Sequence, residues 1–142
     1  MNLGYALAAL AGLFIALQVS IMGRNAPAAG PFTVALLIHV AGLVAALAVM
    51  VARRDWTQTI QAAAGWWWVV PGVAGFLILS SLSLASARVG VAVALSLSIG
   101  TQLVAGLLFD ARNDVAPLDL RSIAGVALLA AGSYLVASRT TT

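Results

Sequence analysis

The chain contains no cysteine, no lysine and no glutamate, and only 8% of its 142 residues are charged. A soluble domain carries roughly 25% charged residues, so too little polar surface exists here to coat a globule in water. The absence of cysteine excludes disulfides and thiolate metal sites. His39 is the one histidine, which leaves no second imidazole for a metal and no HExxH pair. No paired carboxylates fall deep in an apolar run, and there is neither a GxSxG elbow nor a phosphate-cradling glycine loop. These absences argue against an enzyme and leave no cofactor to expect. The seven basic residues, all arginines, stand at segment ends rather than on one continuous face. That pattern speaks against a nucleic-acid partner.

What the chain does have is apolar length. It is 63% hydrophobic, with a mean hydropathy of +1.08. Five apolar segments stand out, at approximately 3–23, 31–52, 66–87, 89–109 and 118–137. Each reaches or nearly reaches the ~20 residues that cross a ~30 Å hydrocarbon core. Backbone groups in lipid must pair internally, so the segments are expected to be helices. The first lacks a basic flank and is too long for a signal peptide, so it reads as a retained span. The predicted fold is an all-α integral membrane protein, with residues 1–142 forming one five-helix membrane domain in contact with the lipid bilayer. "GRNAPAAGP" is expected to end the first helix, Pro31 to open the second, and "RRDWTQTIQAAAG" to be a polar, amphipathic connection.

Small residues suggest packing faces. Gly4, Ala8, Gly12, Ala16 and Ser20 recur every four residues along the first segment, and Gly125 and Gly132 share a face of the fifth. Trp66, Trp67 and Trp68 open the third segment. They read as an interfacial aromatic belt or, for an inward-facing member such as Trp67, as part of a cavity wall.

Hydrogen-bonding groups inside a span are functional candidates. Serine and threonine usually bond back to their own helix, which applies to Ser80, Ser83, Ser96, Ser98 and Thr101. Glutamine carries two donors and an acceptor that its own backbone cannot satisfy, so Gln18 and Gln102 stand out. Ser98 and Gln102 are four apart and share a face. His39 shares its face with Ala35, Gly42 and Ala46, while Val34, Leu37 and Val44 suit lipid. Its imidazole is therefore expected to point into protein, either as a bridge to another helix or as part of a site.

Five spans put the termini on opposite sides of the membrane. One side then carries Arg53, Arg54, Arg112 and Arg121, and the other Arg24, Arg88 and Arg139. Orientation follows the Lys/Arg bias between loops, and a difference of one hardly chooses. Both orientations, and an antiparallel dimer of oppositely inserted copies, are the expectation.

The segments "ALQVS", "IHVAGLVAAL", "WWWVVPGVAGFLILSSLSLASARVGVAVALSLSIGTQLVAGLLFD" and "RSIAGVALLAAGSYLVA", taken in order, resemble the YdcZ-like family of half-size bacterial proteins in the drug/metabolite transporter superfamily. The most specific pieces are Gln18 and the pattern Gly100, Gln102, Leu103, Leu107 and Asp110. The resemblance implies a five-helix unit equal to half of a ten-helix inverted-repeat transporter in the bacterial inner membrane. The chain departs from the family at Met22, where an asparagine is frequent, and at His39. Related small multidrug exporters use a first-helix glutamate. This chain has none, so their cation-for-proton mechanism does not transfer. The functional expectation is a transporter of a small solute, metabolite or drug-like, working as an antiparallel dual-topology homodimer. His39, Gln102, Gln18, Ser98, Thr101 and Trp67 are its candidate substrate-binding residues. The alternative is a non-catalytic scaffold or accessory subunit of a larger complex, which would have less reason to keep Gln18, His39 and Gln102 in hydrocarbon.

Overall fold

A computed structural model of the chain describes residues 3–54, 56–112 and 119–138. It is helical throughout, with no strand among the described residues. The helices are α1 (Leu3–Ala29), α2 (Pro31–Arg53), α3 (Trp56–Ala63), α4 (Val69–Val89), α5 (Val91–Arg112) and α6 (Leu120–Ser138). All but the short α3 are long and apolar enough to cross a membrane.

Several helix ends differ from the sequence reading. α1 runs straight through the cluster expected to stop it, to Ala29, with Pro27 inside. An interior proline removes the bond to the carbonyl four residues before it, here Gly23, and its ring crowds that carbonyl. The surrounding turn compensates. Asn25 donates its side-chain amide to the Ile21 carbonyl at 2.7 Å, and the Gly30 N–H donates to the Ala26 carbonyl at 2.9 Å. Val19, Met22 and Ala26 lie on one buried stripe, so ending the helix at Gly23 would forfeit the packing of Ala26.

The tryptophan triple precedes α4 rather than opening it. Trp66 has φ +57°, a left-handed conformation that breaks the helix. The Trp67 and Trp68 indole N–H groups donate to the carbonyls of Ala62 (3.1 Å) and Ala63 (3.0 Å). Those carbonyls belong to the exposed end of α3; that of Ala62 also accepts the Gly65 N–H at 3.4 Å, and the indoles supply donors that the helix end lacks. Pro71 is the third residue of α4, in the first turn where its missing N–H costs little.

The four longest helices are joined in pairs by single residues. Gly30 alone separates α1 from α2, and Gly90 alone separates α4 from α5. Both have φ +83°, with ψ 145° and 158° respectively. That region of backbone space is open essentially only to glycine.

The core flanks these two glycines. The buried residues are Val19, Met22 and Ala26 of α1, Val34 and Ala35 of α2, Ser80, Ser83 and Ser86 of α4, and Val93 and Ala94 of α5. Val34, expected to face lipid, is therefore inside. α6 contributes no buried residue and packs chiefly on α5. The proposed small-residue ridge is not an interface within the chain, since a Cβ on Gly4 or Gly12 would meet nothing within 4 Å, and the same holds for Gly125 and Gly132. The tightest approach to a glycine is at Gly23, where a Cβ would stand 2.7 Å from the Ser86 hydroxyl oxygen.

Candidate functional site

α5 carries the most developed polar group. Gln102 Nε2 donates to Ser98 Oγ at 3.0 Å, as their spacing of four predicts. The other amide N–H and the Oε1 of Gln102 meet no partner among the described residues. With α5 spanning Val91–Arg112, Gln102 lies within ~1 Å of the helix midpoint. Thr101, beside it, bonds back to the Leu97 carbonyl at 2.9 Å, the ordinary helical behaviour of threonine.

Ser98, Thr101 and Gln102 line one groove of about 560 Å³ between α4 and α5, within the size range of small-molecule sites. Its α4 wall includes Leu77, Ile78 and Ser81, and no acidic or basic side chain lines it. A second groove, about 570 Å³, lies between α5 and α6, with Thr101 on the shared ridge. There Ser96 bonds to the Ala92 carbonyl at 2.7 Å and Ser133 crosses to the Ser96 carbonyl at 3.0 Å. The serine hydroxyls of the α5–α6 groove are thus bonded to backbone carbonyls, whereas the amide of the α4–α5 groove has capacity left over.

His39 is half-buried and packs against α4. Its Nδ1 stands 2.8 Å from the Ala35 carbonyl oxygen. A carbonyl can only accept, so Nδ1 carries the proton, and Nε2 of the neutral ring is an acceptor. Nε2 lies 3.5 Å from where a Cβ on Gly75 would stand. The ring is tilted against Phe76 at 6.1 Å, and Phe76 in turn stacks on Phe32 at 6.2 Å. The imidazole points into protein, as read from the sequence. It sits in a notch at Gly75, separate from the Gln102 groove.

The remaining candidates stand apart. Gln18 is half-buried on α1 beside Val19, ~3 Å from the midpoint of its helix, and lines neither groove. Trp67 lies outside the spans, mostly exposed, with its indole N–H engaged on α3. At the other end of the charge inventory, Asp119 caps α6, accepting the Ser122 backbone N–H at 2.8 Å. Its hydrogen bonds with Ser122 hold the carboxyl below its ordinary value of 3.8. Gly75, beside His39, and Ser81, on the wall of the Gln102 groove, were not assigned to a site from the sequence, because nothing in their spacing tells which helix they face.

Fold and site together define a multi-pass α-helical membrane protein that holds hydrogen-bonding groups in the middle of its spans. Over residues 3–135 the chain matches the family described as "Putative inner membrane exporter, YdcZ", and it belongs to that family. It is similar to the inner membrane protein YdcZ of Escherichia coli (strain K12), with 28% identity over 136 residues covering 91% of each protein. No solved structure matches it. The chain is accordingly a membrane transporter of the inner membrane.

Proposed function

We propose that the chain exports a small uncharged solute as an antiparallel dual-topology homodimer, half of a ten-helix inverted-repeat assembly, with its site near the membrane midplane. Gln102 and Ser98 are the recognition pair, Thr101 shapes the ridge beside them, and His39 and Gln18 supply further polar surface at similar depth. Trp67 is assigned to the membrane surface. One observation carries this reading: a glutamine at the middle of a span keeps a donor and an acceptor unpaired. Such groups are costly in hydrocarbon, and a scaffold or accessory subunit gains nothing from retaining them. The near-even split of arginines across the two sides supports insertion both ways round. A twofold axis in the membrane plane then gives every midplane residue a mate at the same depth, where transporter sites tend to lie.

The chain has no native cysteine, so single introduced thiols report cleanly. In native membranes, Gln102→Cys is expected to cross-link to its counterpart with a short bifunctional reagent. Trp67→Cys is expected not to, because antiparallel copies hold it at opposite surfaces. Efficient self-cross-linking at position 67 would establish a parallel arrangement and end the dual-topology reading.

A further inference from the structure

We infer that the α4–α5 groove binds an uncharged amphiphile, an alkyl body with an amide or hydroxyl head, taken laterally from the bilayer. The inference rests on the reading of Gln102 as the recognition residue and adds the substrate class. The walls of the groove are apolar, and Leu77 (55% exposed), Ile78 (50%) and Leu97 (53%) open toward lipid. A water-soluble zwitterion would need partners for both of its charges, and the groove offers none. The head group is constrained by the valences left on Gln102. One N–H is already committed to Ser98, so the amide presents one donor and one acceptor. A quaternary ammonium can satisfy neither, and a carboxylate satisfies only the donor. A primary amide or a hydroxyl satisfies both. The α5–α6 groove is of similar volume, but Ser96, Thr101 and Ser133 already donate to backbone carbonyls there. The remaining hydroxyl there is that of Tyr134, ~7.5 Å along α6 from the helix midpoint, so that groove holds no amide at the depth of Gln102.

The test uses the full chain in phosphatidylcholine nanodiscs and a decanamide carrying a photoreactive diazirine, with labelled residues mapped by mass spectrometry. Labelling is expected on 77–85 and 97–105 in excess over α2 and α6, and excess unlabelled decanamide should suppress it. Decyltrimethylammonium and decanoate should compete poorly. Gln102→Leu should weaken binding about tenfold, the equivalent of ~1.4 kcal/mol. Its lost bond lies within one helix, so the fold should survive. Ser81→Phe, which fills the groove from an exposed position and leaves Gln102 intact, should also block labelling. Uniform labelling, equal competition by decyltrimethylammonium, or indifference to both variants would overturn the inference. A water-soluble ligand displaced by Gln102→Leu would overturn the amphiphile while leaving the site in place. Self-cross-linking of Ser81→Cys, which lines the groove and leaves Gln102 intact, undiminished by excess decanamide, would show a second copy occupying the groove instead. Indifference of every ligand and of cross-linking to position 102 would remove both readings.

Discussion

Two parts of the molecule treat polar side chains in opposite ways. Around Gly30 and Gly90 the helices close on one another, and Ser80, Ser83 and Ser86 are as buried as Met22 or Val19. Small hydroxyl residues there let backbones approach, as they do in membrane interfaces generally. Farther from those glycines the helices stand apart, and Gly12, Gly42, Gly72 and Gly106 have no neighbour at their Cβ positions. Gln102 belongs to this second region. The serines serve packing, whereas the glutamine is presented to a groove. Depth in the membrane alone therefore does not mark a functional residue. What separates the two cases is whether neighbouring helices enclose the side chain or leave it facing a groove.

The largest expected effect sharpens that contrast directly. Gly23→Leu would force a side chain into Ser86, whose Oγ and Cβ lie 2.7 and 3.1 Å from the new Cβ position. Overpacking of this kind costs about 1–3 kcal/mol, read as a loss of thermal stability in detergent. Gly12→Leu should leave the stability of the single chain unchanged. Should Gly12→Leu instead abolish self-association, the open ridge on α1 is where the second copy packs.

The two turns come next. Gly90→Ala meets no atom within 4 Å of the added carbon, so any loss is pure backbone strain, about 1–3 kcal/mol for a residue held in so sparsely populated a conformation. Thermal unfolding of Gly90→Ala and Gly30→Ala should give similar decreases. If either variant matches the parent, that helix pair can be joined in another conformation and the packed region is less fixed than its geometry implies.

A smaller pair of effects should differ in sign. Ser133→Ala removes a hydroxyl that ties α6 to α5, through the Ser96 carbonyl, and such bonds average about 0.6 kcal/mol in membranes. Ser83→Ala removes a hydroxyl that is fully buried and has no hydrogen-bond partner among the described residues. An unpaired buried group costs roughly 1–3 kcal/mol, so this variant should be as stable as the parent or more so. Destabilisation by Ser83→Ala would reveal a partner for Ser83, and the packed region would then hold a polar site of its own.

The spans were legible in the sequence because a membrane helix announces itself by apolar length, and α2 opens at Pro31 as its fixed φ suggests. Ends were less legible. Pro27 and Asn25 are loop-forming residues by composition, yet burial of Ala26 carries α1 past them. Trp66 to Trp68 look like helix from hydropathy alone, and only the left-handed Trp66 and the indole caps on α3 show otherwise. The Ser98–Gln102 pair was readable because both members lie on one helix, where spacing is geometry. The Gly75 notch for His39, the wall that α4 gives the Gln102 groove and the open face at Gly12 are relations between helices. Spacing along one chain segment does not encode which neighbour it meets.

The least effect is expected where the chain leaves the membrane. Asp119 accepts the Ser122 N–H and sits at the positive end of the α6 dipole, so the folded state favours its ionised form and its pKa is lowered. A carboxyl with a lowered folded pKa contributes stability above its unfolded value. That contribution is lost as pH falls through the folded one. The window therefore opens near pH 3.8 and extends below it, and nothing should change between neutral pH and about 5. Asp119 is fully exposed, so solvent screens the interaction. The consequence is fraying of the first turn of α6, not unfolding. Amide protection at Ser122 and Ile123, taken as exchange relative to its intrinsic rate at each pH, should fall in acid in the parent and should already be low at neutral pH in Asp119→Ala. Asp119→Asn should keep the cap and lose the pH dependence of protection, because asparagine caps nearly as well as aspartate. If protection in Asp119→Asn still falls below about pH 4, another carboxylate holds the end of α6. Asp110, at the adjoining end of α5 and close to Ser122 across one groove, is the one to substitute next.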